Sequence, residues 1–180
     1  MKDSTASSEG RSRMVTGMFR DRESAERAYN SIQDRGYSKD DVNLMMSDDT
    51  RKKHFSNDEG TDTELGNKAL EGAGAGSLIG GTAGAILAAI AAAGTLAIPG
   101  LNIVAAGPIV AALTGAGAGA LTGGLVGALV GWGIPEDRAK AYESGIKEGG
   151  IVMGVNPRTN DDAEYFEREW KKNRGEQVYR

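Results

Sequence analysis

The chain has 180 residues, a formal net charge of −4 from 21 Lys and Arg against 25 Asp and Glu, and no cysteine. The length favours one domain of ordinary size. The charge balance gives no support for nucleic-acid binding through a broad basic surface. The lack of cysteine excludes disulfides and thiolate metal sites.

Residues 1–13 are polar, with small side chains and scattered charges. This composition is typical of a disordered tail. The stretch has no apolar core of the kind that marks a secretory signal. We therefore expect the charged parts of the protein to be cytoplasmic.

Residues 14–46 have the pattern of a β-α-β unit. Residues 15–19 alternate as a short strand does, and 42–46 form a second strand. Between them, Asp21 suits a helix N-cap and Gly36 suits the end of that helix. The apolar face of the helix is formed by Ala25, Ala28, Tyr29 and Ile32.

Residues 47–71 are polar and acidic with little periodicity, which predicts a linker with at most a short helical start near 63–70. The only histidine, His54, lies in this stretch. A lone imidazole lacks the convergent groups of a metal site or a catalytic triad. We therefore interpret His54 as a solvated loop residue, and the pairs Asp48-Asp49 and Asp161-Asp162 as a turn and a helix start.

The central segment, residues 72–135, contains no Asp, Glu, Lys, Arg or His. Its only strong breaker cluster is at 98–102. The sequence therefore predicts two apolar helices, over about 77–98 and 108–132, folded into a hairpin. Glycines recur four residues apart in two series, one before and one after this cluster, and we expect these positions to mediate self-association: Gly72, Gly76, Gly80, Gly84, Gly115, Gly119, Gly123, Gly127 and Gly131.

The environment of this hairpin has three interpretations. Each arm is long enough to cross a bilayer, and glycine stripes allow close helix packing in membranes. However, Ala and Gly are poor lipid-facing residues, no Lys/Arg cluster flanks the hairpin, and Trp132 alone makes no aromatic belt. The alternatives are a hairpin buried in a homo-oligomer or against its own sheet, and a filamentous assembly. The expected partners are further copies of the chain and membrane lipid.

The glycine clusters also invite a nucleotide-binding interpretation, which their spacing excludes. The runs at 72–81 and 115–124 have the pattern GxGxxxG, one residue longer than the dinucleotide fingerprint. Neither run follows a predicted strand, and no acidic residue lies about 20 positions further on. We predict no cofactor, no metal and no small-molecule substrate.

Residues 135–180 predict a helix over 136–148, a strand at 151–155, a second helix at 161–174 and a final strand at 177–179. Pro135 suits the first turn of a helix, and Gly149-Gly150 suits its end. Aromatic residues occur at helical core spacing, which favours packing over base stacking, at Tyr29, Tyr142, Phe166 and Trp170.

The two β-α-β patterns together predict an α+β protein with a ferredoxin-like (split β-α-β) four-stranded antiparallel sheet, into which the helical hairpin is inserted. The predicted division is a tail at 1–13, the first half of the domain at 14–46, an acidic linker at 47–71, the hairpin at 72–134, and the second half at 135–180.

Two stretches carry a family resemblance, VTGMFRDRESAERAYNSIQDRGYSKDDVNLM and WGIPEDRAKAYESGIKEGGIVMGV. They resemble the two halves of bacterial general stress (heat-induced stress) proteins, in which a glycine-rich apolar insertion also occurs. The resemblance covers roughly residues 14–180 without the acidic linker. It implies a stress-induced, non-enzymatic protein, and it supplies no catalytic residues.

The sequence thus predicts a non-enzymatic general stress-response protein that self-associates and associates with the cytoplasmic membrane through a glycine-zipper hairpin. The alternative is a soluble homo-oligomeric structural module with its hairpins bundled in a shared core. An enzyme or small-ligand binder would need a pocket with clustered polar groups on the α+β body.

Overall fold

The computed structural model describes residues 14–55, 86, 95–98, 102–110, 119–131 and 133–180. Within these residues the elements are β1 (Val15–Phe19), α1 (Arg22–Gln33), β2 (Val42–Ser47), α2 (Asp48–Phe55), β3 (Thr95–Ile98), β4 (Ile103–Ala106), α3 (Gly119–Gly131), α4 (Glu136–Lys147), β5 (Ile151–Val155), α5 (Asn160–Lys172) and β6 (Glu176–Tyr179). The fold is therefore α+β, and a short 3₁₀ helix at Lys39–Asp41 precedes β2.

The strands form one antiparallel sheet in the order β3-β4-β2-β5-β1-β6. β5 lies between β1 and β2, so the strands of the two β-α-β halves interleave. The predicted strands at 15–19 and 151–155 are confirmed with the same bounds, and the two pair along their full length, from Val15 opposite Val155 to Phe19 opposite Ile151. The predicted strand count of four is wrong, because β3 and β4 extend the sheet beyond β2.

One face of the sheet packs against α1 and α5. The predicted apolar face of α1 is buried there, and Phe166 and Trp170 of α5 are fully buried beside it. The ring of Trp170 meets Phe19 edge-on, with the ring centroids 5.8 Å apart. Gly17 allows this close approach, since a Cβ there would stand 3.0 Å from the indole and the ring would have to shift. The predicted core role of these aromatic residues is confirmed.

The other face of the sheet packs against α3 and α4. Its core contains Leu125 and Leu129 from α3, Tyr142 and Ile146 from α4, and Met18 from β1. Because helices cover both faces, every residue of β1 and β5 is buried. The sheet is thus the middle layer of three.

The predicted helical hairpin is wrong where the structure describes its centre. Residues 95–98 and 103–106 are strands, and they pair regularly from Thr95 opposite Ala106 to Ile98 opposite Ile103. β4 in turn pairs with β2, so this β-hairpin extends the sheet and makes β3 its edge strand. The segment is rich in β-branched residues, which favour strands. The breaker cluster predicted at 98–102 therefore lies between two paired strands, and Asn102 adopts a left-handed φ of 51° just before β4.

The predicted acidic linker is wrong over residues 48–55, which form α2. The hydroxyl of Ser47 accepts the backbone N–H of Thr50 (3.0 Å), which caps the first turn. Asp48 pairs with Arg51 (2.8 Å) and Lys52 (2.6 Å) along the same helix. Phe55 is buried in the core beneath α1. A single buried aromatic thus fixes a helix that has little apolar periodicity of its own. The short helix expected near 63–70 lies outside the described residues.

A polar network joins the ends of α1 and α5. The phenol of Tyr37 donates to Asp162 (2.8 Å) and accepts the backbone N–H of Arg158 (2.6 Å). The guanidinium of Arg158 stacks on the same ring, 4.1 Å from its centroid. The N-cap of α5 is Thr159, whose hydroxyl accepts from Asp162 N–H (3.1 Å), and not Asn160 or Asp161 as the sequence suggested. The two halves of the chain are therefore tied outside the sheet as well as in it.

Candidate functional site

The second half of α3 has two distinct faces. Leu125 and Leu129 are buried against the sheet. Gly127 lies two residues after Leu125, about 200° around the helix axis, and therefore faces away from the sheet. Val130 and Gly131 share that outward side, with Val130 42% exposed. A Cβ on Gly131 would meet no atom within 4 Å. We call Gly127, Val130 and Gly131 the glycine face of α3.

The structure describes only part of the predicted self-association set. Gly119, Gly123, Gly127 and Gly131 all lie on α3. The remaining positions lie outside the described residues: Gly72, Gly76, Gly80, Gly84 and Gly115. The predicted stripe is interrupted at Gly124. This residue has a non-helical φ of 59° and ψ of −151°, and it divides α3 into two helical segments joined by a kink.

The length of α3 bears on the membrane interpretation. The helix has 13 residues and is broken at the non-helical Gly124, whereas about 20 consecutive helical residues are needed to cross a bilayer's hydrocarbon core. Among the described residues, we find no helix with the length and apolar character needed to span a membrane.

A polar cleft of about 500 Å³ opens at the end of the sheet where β1 and β2 finish. One wall is α2, and the other is the C-terminal end of α4. The two walls approach at the bottom, where a Cβ on Gly149 would stand 3.7 Å from the Thr50 hydroxyl. Ile103 and Ile146 supply its apolar surface. The polar groups around it come from Arg20, Ser47, Asp49, Thr50, Lys53, His54, Asn102, Lys147 and Glu148.

Arg20 organises the rim of this cleft. Its guanidinium contacts Glu148 (2.7 Å) and Glu176 (2.9 Å). The hydrogen bonds to these carboxylates, first to Glu148 and then to Glu176, raise the pKa of Arg20. The bond from Arg20, together with one from Ser144, in turn lowers the pKa of Glu148. One guanidinium at the rim is therefore shared by two carboxylates.

His54 stands in the wall of the cleft, on α2, and not in a solvated loop as the sequence suggested. Burial, with the charges of Lys53 and Arg22, lowers the pKa of His54. The imidazole is therefore neutral at pH 7. The described residues contain no group of three or more His, Cys, Asp or Glu placed to hold a metal ion.

Sequence reasoning missed this cleft because its polar groups come from four separate parts of the chain. Arg20 follows β1, Asp49 and Lys53 lie on α2, Asn102 precedes β4, and Glu148 ends α4. One local signal was present. Asp49 and Lys53 are four residues apart, which places them on the same side of any helix.

Comparisons with models of known protein families, with curated proteins and with solved structures found no match. The fold and the two surfaces described above therefore define the class of protein: a three-layered α+β domain with a glycine-bearing helix on one side and a polar cleft at one end of its sheet.

Proposed function

We propose that the protein is a non-enzymatic module that self-associates through the glycine face of α3. The observation that carries the proposal is the division of α3 into a buried leucine side and an outward glycine side. Two helices that meet at glycines bring their backbones close together, which gains van der Waals contact. Interior glycine costs a helix roughly 1 kcal/mol relative to Ala, so contact of this kind would offset that cost.

We propose that the scaffold is ferredoxin-like. The order β2-β5-β1-β6 of four adjacent strands, with α1 and α5 on one face, supports this assignment. In such a plan the two β-α-β halves each contribute one central strand and one outer strand. The β3-β4 hairpin and the layer of α3 and α4 are additions to it.

A role in the general stress response is supported by the resemblance of the two quoted stretches to general stress proteins. Those stretches correspond to β1-α1-β2 and to α4-β5. A protein of this kind acts by binding and assembly, not by catalysis. We place it in the cytoplasm, with the charge-free segment as its contact region.

Membrane association is the second part of the proposal. It is supported by the lack of any ionised side chain from residue 72 to 135. The same outward face of α3 that would meet a second copy would also be compatible with lipid, since neither partner requires a polar group there. An experiment has to separate the two partners.

The test compares the wild-type protein with Gly131→Leu in detergent-free solution. The expected wild-type particle is a multiple of the 18.8 kDa chain by sedimentation velocity. Leucine at 131 has room in the isolated chain, and it would hold two helices apart. We expect Gly131→Leu to sediment as a monomer with an unchanged circular dichroism spectrum.

The matched control is Lys171→Leu, which adds the same side chain to α5 on the opposite side of the sheet and should leave the oligomer intact. A monomeric wild-type protein, or an oligomer that Gly131→Leu leaves unchanged, would overturn self-association through α3. Flotation with vesicles of phosphatidylcholine and phosphatidylglycerol tests the membrane part separately. Failure of the wild-type chain to float would remove that part alone.

A further inference from the structure

The polar cleft between α2 and the end of α4 has the size of a small-molecule site, for which volumes of roughly 300–1,000 Å³ are usual. It also has the composition of one, because the apolar side chains of Ile103 and Ile146 lie beside hydroxyl, amide and charged groups. The charged side chains of the cleft that have no ion-pair partner in the protein indicate which charges a ligand would carry.

Most charged groups around the cleft have a protein partner. Arg20 is shared by Glu148 and Glu176. Lys147 pairs with Glu143 (2.8 Å), one turn earlier on α4. These groups shape the cleft, and each of them already has an ion-pair partner within the protein.

Asp49 and Lys53 are the exceptions. One oxygen of Asp49 accepts from the amide of Asn102 (3.1 Å), which leaves its other oxygen available. No ion pair joins Lys53 to any carboxylate of the described residues, although Asp49 lies one helical turn away. The two side chains therefore present opposite charges to the same cleft, about 6 Å apart along α2.

We propose that the cleft binds a small zwitterion, a molecule that carries one carboxylate and one ammonium group separated by several bonds. The carboxylate pairs with Lys53 and accepts a hydrogen bond from His54. The ammonium pairs with Asp49. The carbonyl end of α4, at Lys147 to Gly149, also favours a positive charge at this place, because the helix dipole is negative there.

The other neighbours are consistent with this orientation. His54 offers an N–H donor without a second positive charge, because its imidazole is neutral at pH 7. A ligand with a single charge would satisfy only one of the two groups. Asp49 and Lys53 are both exposed, so the unmatched group would stay hydrated and the ligand would make one charge-assisted contact in place of two.

The experiment titrates the full-length protein with 4-aminobutanoate and follows the backbone amide spectrum by NMR. Butanoate and butylammonium, which each carry one of the two charges, are titrated in parallel. We expect shifts at the residues of α2 and at Gly149 with 4-aminobutanoate. We expect each single-charge probe to bind at least about tenfold more weakly, since one charge-assisted contact is lost.

Lys53→Met and Asp49→Asn test the two contacts, and each should weaken 4-aminobutanoate binding by about tenfold or more. Lys171→Met is the control, because it removes a lysine from α5, away from the cleft. Equal binding of butanoate, unchanged affinity in both cleft variants, or an absence of shifts at α2 would overturn the proposal. None of these results depends on the oligomeric state that Gly131→Leu examines.

Discussion

The carboxylate of Glu26 accepts the backbone N–H of Ile86 at 3.1 Å, across 60 residues of chain. Glu26 lies on α1, and Ile86 belongs to the charge-free segment. The side chain of Ile86 is fully buried in the same core as Tyr29 and Ile32 of α1. At Ile86 the apolar segment is therefore attached to α1 by a charge-assisted hydrogen bond and a buried side chain, in addition to its strand pairing with β2.

Glu26→Ala should loosen this attachment. The N–H of Ile86 loses its acceptor while the residue remains buried, a change that costs about 1–3 kcal/mol. Amide hydrogen exchange measured by NMR should therefore become faster at Ile86. Glu23→Ala is the matched control, since Glu23 lies on the exposed side of α1 and pairs with Arg27. Equal exchange rates in the two variants would show that the Glu26 contact does not hold the segment.

Gly107→Ala should destabilise the protein by several kcal/mol. Gly107 has φ +94°, and a Cβ there would stand 2.1 Å from the carbonyl oxygen of Val42, which is backbone and cannot rotate away. Gly36→Ala provides the comparison, because Gly36 has φ +73° with open space around it. Gly36→Ala should cost only the free energy of holding a residue with a Cβ in the left-handed conformation, about 1–2 kcal/mol. Urea unfolding of both variants measures the difference, and similar midpoints would contradict the backbone clash.

Stability should fall as the pH rises from 10 to 12. Burial raises the pKa of Tyr142 to about 12, so the folded protein keeps this proton over a range in which the unfolded chain loses it. The stability that this difference provides is complete below pH 10 and is lost as pH approaches 12, by about 1.4 kcal/mol per pH unit. Burial raises the pKa of Tyr29 in the same direction.

Tyr142→Phe isolates this contribution. At pH 8 the variant should be less stable by about 1 kcal/mol, because the hydroxyl no longer donates to the Gln177 carbonyl (2.7 Å) or bonds with Thr16 (2.8 Å). Its unfolding free energy should then decline less steeply above pH 10. Parallel curves for variant and wild type would argue against a raised pKa at Tyr142.

Arg174→Gly should stabilise the protein. Arg174 follows the C-terminal end of α5 with φ 60°, a conformation that costs a side-chain-bearing residue about 1 kcal/mol or more relative to glycine. Its ion pair with Asp21 is long (3.9 Å) and exposed, so little is lost with it. We expect the melting temperature to rise by about 2–4 °C. Arg174→Lys, which keeps the strain, should leave it unchanged.

The parts of the fold that were predictable are those in which polar and apolar residues alternate or recur. β1 and the buried face of α1 were identified in this way, and β5 was predicted from its continuous run of apolar residues. β3 and β4 were not, because a segment without charged residues has no contrast from which a period can be measured. In that segment the helices were predicted from the length of the apolar stretches, although β-branched residues such as Ile103 and Val104 favour strands. α2 was missed for the opposite reason, since it is almost wholly polar and depends on Phe55.

The cleft could not be predicted because its chemistry arises from tertiary structure. Arg20 and Glu148 are 128 residues apart in sequence, yet they share its rim. Asp49 and Lys53 are informative only once α2 is known to be a helix and α4 is known to end opposite it. The four-residue spacing of the glycines indicated that α3 has a glycine face. Which side of α3 is buried is decided by Leu125 and Leu129, which pack against the sheet.

The strand order has a consequence for how the chain folds. In the described sheet β1 pairs with β5 and β6, which lie at 151–179, whereas β2 pairs with β4, and β4 with β3, across shorter stretches of chain. Pulsed hydrogen exchange during refolding should therefore protect β2 and β4 before β1, since nearer contacts close smaller loops. Earlier protection of β1 would contradict this order. By pairing with β2 early, β4 would cover an edge of β2 that is otherwise open to other chains, before β1 has paired with β5 and β6.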